Sequence, residues 1–293
     1  MLKGRLGLET ARIPHADRHG LLWLSRGQLS VSEGTLRFAS AGTGELPAGA
    51  YDIPYQSVSL ILLGPGTGLT HDVFRLCARH GTGLAAVGED GVRLYTAPPR
   101  GPDHSALARR QAILWADPQE RIAMARRMYA LRLGEAVPLR DIAALRGIEG
   151  ARAREMYKLM ARKYGVPWAG RKYDRQAPEE TDKPNMAVNH AAVAVRAAAE
   201  LAVAATATIP QLGFVHEDSS LAFALDVADL FRDEFTVPLA FRGYRAHMDS
   251  PEQELERVVR KLAGAEFRRF GLISKMIDRI KDLLNADDGR DHT

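Results

Sequence analysis

The sequence has few of the features that mark secreted, disulfide-bonded or membrane-spanning proteins. Its 293 residues include a single cysteine, Cys77, which excludes an internal disulfide and a zinc finger and is typical of a reducing compartment. The first ten residues lack the apolar core of a signal peptide. The most apolar long stretch, residues 191–209, is interrupted by Arg196 and Glu200, and it predicts a buried helix rather than a membrane span. We therefore expect a cytoplasmic protein that has no membrane partner.

A large excess of charge of one sign is also missing. The chain carries 40 basic and 36 acidic residues, and the resulting formal net charge of +4 does not by itself indicate a nucleic-acid partner. This balance still allows local basic patches beside an acidic site. The length is enough for about two domains of ~150 residues each, and the apolar fraction of 46% is ordinary for a globular protein.

Glycine divides the chain into two parts with different patterns. Residues 1–100 contain 15 of the 26 glycines, and short apolar segments lie between the turn signals, a pattern typical of a small β-sandwich. The predicted strands are 21–31, 35–40, 51–63, 83–87 and 92–96, with one helix at 70–80. The second part has helical periodicity near residues 105–116, 118–134, 139–146, 149–164, 185–207, 219–234 and 251–285.

These patterns predict an α+β protein with two domains. We expect an N-terminal β-sandwich domain at residues 1–97 and an all-α-helical catalytic domain at residues 105–286. Residues 98–104, which are rich in proline, predict a linker between the two domains, and residues 287–293 predict a flexible tail.

Three aspartates recur on one face of the helix predicted at 219–234. Asp226, Asp229 and Asp233 are spaced i, i+3, i+7, so their carboxylates point the same way. A water-facing acidic stripe is the commoner explanation of such a pattern. However, Asp226 and Asp229 lie among apolar residues, where a carboxylate is costly unless it is paired or binds a metal. His216, one loop upstream, is either an ordinary loop or core histidine, a ligand of the same ion, or a proton donor to a leaving oxygen.

Glu149 is a fourth candidate. It lies between Gly147 and Gly150 at the predicted start of a helix, where the alternative is a simple electrostatic cap. The flanking glycines permit close approach of a ligand or another backbone. Clusters of glutamate, histidine and aspartate are suited to holding Mg²⁺ or Mn²⁺ over a phosphate.

Basic side chains are grouped around these candidates. Arg152 begins a basic run on the helix predicted at 149–164, and Arg171 and Tyr173 lie together in the loop that follows it. Basic residues interleaved with aromatics suit a phosphate backbone and stacked bases. Each cluster alone is also compatible with an ordinary solvated surface.

Taken in order, the motifs resemble a known family. They are Arg-Gly-Ile-Glu-Gly (146–150), Tyr-Gly-Val-x-Trp-x-Gly-Arg-x-Tyr-Asp (164–174), Gly-Phe-Val-His (213–216) and Leu-Asp-Val-Ala-Asp (225–229), with Gly-Pro-Gly-Thr (64–67) and Gly-Glu-Asp-Gly-Val-Arg (88–93) upstream. This series is similar to the CRISPR-associated spacer-acquisition endonuclease and integrase, the universal adaptation protein of CRISPR systems, in its type I-E-like branch. The resemblance covers nearly the whole chain.

The resemblance implies an activity and a site. The implied activity is a metal-dependent DNA endonuclease and integrase, which joins the 3′-OH ends of short DNA fragments to the CRISPR repeat by transesterification. Glu149, His216 and Asp229 would bind one Mg²⁺ or Mn²⁺, and Asp226 would be a further functional carboxylate. The resemblance also implies a homodimer formed through the N-terminal domains and a small ferredoxin-like companion protein. Phosphate-binding roles fall on the residues that match the family's positions, Arg93, Arg171 and Tyr173.

Three positions depart from close relatives in that family. Arg26 stands in place of a tyrosine, Gly68 in place of an arginine and Ser219 in place of a lysine. The resemblance implies that these three positions take part in opening a DNA fork and holding its end. The departures leave the predicted metal ligands unchanged. Two other functions are compatible with the residues: a metal-dependent, structure-specific DNA nuclease in repair, and a non-catalytic DNA-binding scaffold.

Overall fold

The computed structural model describes residues 20–42, 46–96, 105–134, 142–172 and 181–284; the side chains of residues 133, 142–146, 148 and 149 lie outside this description. The predicted linker and tail, and Tyr173, also lie outside the described residues. The domain limits therefore stay predictions. The strands are β1 (Leu21–Leu24), β2 (Gly27–Ser32), β3 (Thr35–Ser40), β4 (Gly49–Ile53), β5 (Leu60–Leu63), β6 (Thr67–Leu69), β7 (Gly83–Val87) and β8 (Leu94–Thr96).

The strands form two four-stranded sheets. The first has the order β1-β5-β7-β8, in which β1, β5 and β7 are parallel and β8 is antiparallel. The second has the order β4-β3-β2-β6, with antiparallel pairs except for the parallel pair β2–β6. The predicted strand at 21–31 is divided at Arg26, whose φ of 51° lies in the left-handed region and breaks the extended chain. The predicted strand at 51–63 is divided by Pro54 and a single 3₁₀ turn, Tyr55–Ser57.

The first sheet is buried on both faces. Ile61 and Leu63 of β5 pack in the core between the two sheets, whereas Leu60 and Leu62 pack in the core that the helices form. Because neighbouring side chains of a strand point to opposite faces, all four leucine and isoleucine residues of β5 are buried. The sheet is therefore covered by the second sheet on one side and by helices on the other. The α+β architecture predicted from the sequence is confirmed.

One helix, α1 (His71–His80), belongs to the sheet region and was predicted correctly. Thr70 takes the N-cap position with an extended backbone, and Gly81 ends the helix with a φ of 70°. Cys77 on this helix is buried, and burial raises the pKa of its thiol to about 12. We therefore interpret Cys77 as an inert core residue.

The remaining helices are α2 (Ala106–Ala116), α3 (Pro118–Leu133), α4 (Ile142–Tyr164), α5 (Lys183–Thr206), α6 (Ala222–Leu230), α7 (Val237–Asp249), α8 (Leu255–Phe270) and α9 (Leu272–Leu284). The alanine-rich helix α5 contacts α6, α7, α8 and α9. Its small side chains let the neighbouring helices approach closely, as expected for a central core helix. Among the described residues, α5 is the one helix long and apolar enough to cross a membrane, and 61% of its most apolar window is buried inside the protein.

Four of the predicted helices have wrong bounds. The helices predicted at 139–146 and 149–164 are one helix, α4, which continues through Gly147 and Gly150. The helix predicted at 219–234 ends at Leu230 and is followed by a π-helical turn, Arg232–Thr236. The helix predicted at 251–285 is divided by Gly271, whose φ is 65°. The apolar periodicity continues across Gly271, so the sequence does not show this last break. The break is a change of direction in the backbone of the glycine alone.

The sequence also failed to predict α7. Pro238 and Gly243 argue against a helix, but Pro238 lies in the first turn, where its missing N–H group costs nothing. Gly243 is required by packing, because a Cβ atom there would lie 2.8 Å from Val259 Cγ2 on α8. The tertiary contact between α7 and α8 therefore outweighs the low helical propensity of these two residues.

Candidate metal centre

Asp226 on α6 is the most completely bonded carboxylate of the site. Its Oδ2 accepts hydrogen bonds from the backbone N–H groups of Phe214 at 2.6 Å and Val215 at 3.1 Å. Its Oδ1 accepts one from the backbone N–H of His216 at 3.0 Å. The Asp226 side chain has no exposed surface, so these bonds replace the water that an ionised carboxylate needs. Asp226 thereby fixes the loop that carries His216.

Asp226 also orients the imidazole of His216. Nδ1 of His216 lies 2.7 Å from Asp226 Oδ1. An ionised carboxylate can only accept, so in the neutral imidazole Nδ1 carries the proton and Nε2 keeps its lone pair. Nε2 lies 4.0 Å from Oδ2 of Asp229. A carboxylate that bonds one ring nitrogen while the other faces outward is the usual support of a metal-binding histidine.

The loop before His216 folds tightly against the start of α6. Gly213 is needed there, since a Cβ atom would lie 2.3 Å from the carbonyl oxygen of His216 and 2.8 Å from atoms of Ala222. The backbone N–H of Phe223 donates to the carbonyl of Pro210 at 2.8 Å. The sequence Gly-Phe-Val-His therefore allows three consecutive N–H groups to converge on one carboxylate.

Asp229 lies one turn beyond Asp226 and lines a small, partly open pocket. The pocket is lined by Met128, Tyr129, Arg132, Val215, His216, Asp226, Asp229 and Leu230. The Asp229 side chain is 33% exposed, so one of its faces is open to a ligand. His216 on the loop and Asp229 on α6, which are both predicted ligands, therefore face the same pocket.

A nearly buried arginine lies beneath the carboxylates. The side chain of Arg132 on α3 is 5% exposed, with Nη1 3.9 Å from Asp229 Oδ2 and Nε 3.6 Å from Asp233 Oδ2. Arg232 Nη1 lies 3.5 Å from the other oxygen of Asp229. The three aspartates are therefore not a water-facing stripe. Asp226 is buried, and Asp229 and Asp233 face a shared guanidinium group, which offsets their mutual repulsion.

The donor set fits a hard divalent cation. Octahedral Mg²⁺ has ligand distances of about 2.0–2.1 Å, so two donors on one ion lie roughly 3.0 Å apart when adjacent and 4.2 Å when opposite. The 4.0 Å between His216 Nε2 and Asp229 Oδ2 is close to the distance between opposite ligands. Within the described part of the chain, no group of three histidine, cysteine, aspartate or glutamate side chains is placed to hold an ion.

The side chain of Glu149, the third predicted ligand, lies outside the described residues, so the three-ligand site stays a prediction. The backbone of Glu149 lies well inside α4, which begins at Ile142. The alternative of an N-terminal helix cap is therefore wrong, because the free N–H groups that such a cap serves are several residues upstream.

The predicted nucleic-acid residues lie on different elements. Arg93 forms an ion pair with Glu256 on α8. Burial, and to a smaller extent the positive charge of Arg93, lowers the pKa of His190 on α5. Arg152 is exposed on α4. Arg171 lies against the first turns of α5, where Nη1 donates to Asn185 Oδ1 at 2.9 Å and Nη2 donates to Asn189 Oδ1 at 2.6 Å.

The three departures from close relatives have local roles here. Ser219 Oγ accepts a hydrogen bond from the backbone N–H of Leu221 at 3.1 Å, just before α6. Arg26 takes the left-handed conformation between β1 and β2. A Cβ atom at Gly68 would lie 2.4 Å from the side-chain oxygen of Gln28 on the neighbouring strand. None of these positions lines the pocket described above.

Three residues around the site carry no signal in the sequence. Gln111 and Trp115 on α2 lie roughly a hundred residues before the loop that they contact, and Arg132 on α3 lies about as far before Asp229 on α6. Gln111 and Trp115 bond to backbone groups of residues 209–213. No local motif marks these residues, because the partners of Gln111 and Trp115 are main-chain groups and the acidic partners of Arg132 lie on a distant segment.

Comparison with known proteins gives consistent matches over most of the chain. A family model described as CRISPR associated protein Cas1 matches residues 21–137 and 130–248. The CRISPR-associated endonuclease Cas1 of Escherichia coli strain K12 is 37% identical over 275 residues, which cover 94% of this chain and 87% of that protein. The CRISPR-associated endonuclease Cas1 of Geobacter sulfurreducens is 36% identical over 275 residues, with the same coverage of 94% and 87%.

A solved structure also matches closely. The crystal structure of a TtCas1–DNA complex superposes with a TM-score of 0.81 at 30% identity, covering 92% of this chain and 98% of that one. The likeness extends over both the sheets and the helices.

Proposed function

Because the chain belongs to the CRISPR-associated Cas1 family, we propose that it is a divalent-metal-dependent DNA endonuclease and integrase of CRISPR adaptation. The observation that supports this most directly is the arrangement of His216 and Asp229. Asp226 fixes the His216 ring so that Nε2 faces Asp229 across an open pocket. The type I-E-like assignment is part of the proposal.

The proposed reaction is a transesterification. The 3′-hydroxyl of a short DNA fragment attacks a phosphodiester of the CRISPR repeat; a new P–O bond forms, the old P–O bond breaks, and the leaving 3′-oxygen takes up a proton. The number of phosphodiesters is unchanged, so no ATP is required. With water as the nucleophile the same step is hydrolysis, which corresponds to endonuclease activity.

The roles of the side chains follow from their positions. His216 Nε2 and Asp229, with Glu149 as the third predicted ligand, would hold Mg²⁺ or Mn²⁺, and Asp226 would orient His216. A bound cation would polarise the scissile phosphate and favour the ionised form of the attacking hydroxyl. Arg93, Arg152, Arg171 and Tyr173 would hold the DNA backbone, and their alignment of the two strands contributes to the rate. The proposal includes a cytoplasmic homodimer and a small ferredoxin-like companion protein.

The test is an end-joining assay. The purified protein, with the companion protein, is incubated with a short DNA duplex bearing 3′-hydroxyl ends and a supercoiled plasmid carrying a CRISPR repeat. We expect covalent joining at the repeat with Mg²⁺ or Mn²⁺ and complete loss of joining when a chelator removes the metal. Gel analysis of labelled fragments measures the product.

The other outcomes of this assay identify the competing functions. Metal-dependent cleavage without joining would indicate a repair nuclease. DNA binding without cleavage or joining under any metal would indicate a non-catalytic scaffold, and either result contradicts the integrase proposal.

Replacement of Arg171 with alanine is expected to weaken DNA binding. If the guanidinium group neutralises one phosphate, the slope of log affinity against log salt concentration becomes shallower by about 0.7 to 0.9. Fluorescence anisotropy over a range of salt concentrations measures both quantities. The Asn189→Ala variant is the matched control, because it removes a hydrogen bond of Arg171 and keeps the charge. An unchanged slope in Arg171→Ala would show that Arg171 does not contact a phosphate.

A further inference from the structure

The loop that carries His216 is fastened to α2 by a buried carboxamide. Gln111 has no exposed surface. Its Nε2 donates to the carbonyl oxygens of Ile209 at 3.0 Å and Leu212 at 2.9 Å, and its Oε1 accepts from the backbone N–H of Ile209 at 2.7 Å. All three hydrogen bonds that the structure describes for this carboxamide end on the same short loop.

Two other side chains strengthen the same attachment. The indole N–H of Trp115, one turn beyond Gln111 on α2, donates to the carbonyl of Gly213 at 3.0 Å. Arg121 on α3 lies over the Trp115 ring at 4.9 Å, and its Nη2 is 2.7 Å from Glu217 Oε1. The loop is therefore held just before and just after the residues that bond to Asp226.

The geometry gives Gln111 a specific consequence for the site. Residues 209–213 are bonded to α2, and residues 214–216 direct their N–H groups to Asp226. Gly213 joins the two sets and packs closely against the His216 carbonyl and Ala222, with no room for a Cβ atom. A shift of residues 209–212 would therefore move the N–H groups away from Asp226 and release the His216 ring.

We propose that Gln111 is a positioning residue of the candidate metal centre. It acts through the loop backbone and fixes the direction of His216 Nε2, and Trp115 assists it. The effect on metal binding rests on the proposed function, whereas the effect on the loop does not. A buried polar group with all its partners in one segment restrains that segment more than the rest of the core.

The test compares Gln111→Met with a variant in the other hydrophobic core. Methionine keeps the length of the side chain but leaves the polar groups of Ile209 and Leu212 without their partner. We expect amide hydrogen exchange in a peptide covering residues 209–217 of the metal-free protein to rise at least about tenfold. We also expect the affinity for Mn²⁺, measured by titration calorimetry, to fall about tenfold or more.

Leu36→Ala, in the core between the two sheets, is the control, since Leu36 is fully buried and belongs to the other hydrophobic cluster. It should lower the melting temperature without a local rise in exchange at 209–217. Trp115→Phe, which removes the hydrogen bond to Gly213 and reduces the ring under Arg121, should shift exchange in the same direction by a smaller factor, and it serves if Gln111→Met fails to fold. Equal exchange at 209–217 in the test and control variants would overturn the proposal. If exchange rises but the wild-type protein binds no Mn²⁺, the proposed metal function fails and the role of Gln111 in the loop stands.

Discussion

Replacement of Asp229 with asparagine is expected to lower DNA cleavage and joining by at least about a thousandfold while the protein stays folded. The substitution keeps the shape of the side chain and removes the charged oxygen that lies 4.0 Å from His216 Nε2. A hard cation binds a neutral amide oxygen much more weakly than a carboxylate. A thousandfold loss corresponds to about 4 kcal/mol of transition-state stabilisation, a reasonable share for one ligand of an essential ion.

The stability of Asp229→Asn should change little. Arg132 lies 3.9 Å from Asp229, beyond hydrogen-bonding distance, and it keeps Asp233 as an acidic neighbour. We therefore expect the free energy of unfolding to change by less than about 2 kcal/mol. Thermal denaturation and single-turnover kinetics in Mn²⁺ measure the two effects.

Asp218→Asn is the matched control for this variant. Asp218 is exposed two residues after His216, so the control makes the same change of charge close to the site. It should retain activity within a few-fold of the wild-type protein, since exposed charges are screened by solvent. If Asp229→Asn also retained wild-type activity, Asp229 could not be a ligand of a catalytic metal.

The fold class was predictable because its signals are local. Apolar segments between turn residues identified β3 and β7 almost residue by residue, and Thr70 and Gly81 delimited α1. Two of the errors in the helical part have a common physical cause. Gly243 in α7 and Gly147 in α4 lie inside helices that the surrounding structure stabilises, and local propensity does not contain that contribution.

The site was predictable to the extent that its residues are close in the sequence. Helical periodicity placed Asp226 and Asp229 on one face, and the short connection from His216 placed the imidazole nearby. Periodicity did not reveal that Asp226 is buried under three backbone N–H groups, since those bonds depend on the exact path of the loop. Gln111 and Arg132 could not be predicted, because their contacts join segments about a hundred residues apart.

Replacement of Asp226 with asparagine is expected to lower stability and metal affinity together, in contrast to Asp229→Asn. The carboxylate of Asp226 accepts four hydrogen bonds, two on each oxygen. An asparagine has one acceptor oxygen and one NH₂ group, so in either orientation two donors lose their acceptor and face another donor. Each buried unsatisfied group costs about 1–3 kcal/mol, so the two together predict a loss of roughly 2–6 kcal/mol in the free energy of unfolding.

The loss of metal affinity follows from the histidine tautomer. The orientation that keeps the amide oxygen on Phe214 and Val215 places the NH₂ group beside Nδ1 of His216. The ring can then accept through Nδ1 only if its proton moves to Nε2, which removes the lone pair that would bind a metal. We expect Mn²⁺ affinity to fall about 10–100-fold, the usual range for a carboxylate that supports a metal-binding histidine.

Two measurements separate this effect from general destabilisation. The ¹⁵N chemical shifts of His216 in the metal-free protein, at a pH where the ring is neutral, report which nitrogen carries the proton. Ile61→Ala, in the fully buried core between the sheets, should cost a similar 2–5 kcal/mol of stability, roughly as other large-to-small core changes do. That control should leave both the tautomer and the Mn²⁺ affinity unchanged. If Asp226→Asn lost stability but kept the wild-type tautomer and affinity, Asp226 would be a loop anchor alone, and the orientation of His216 would need another cause.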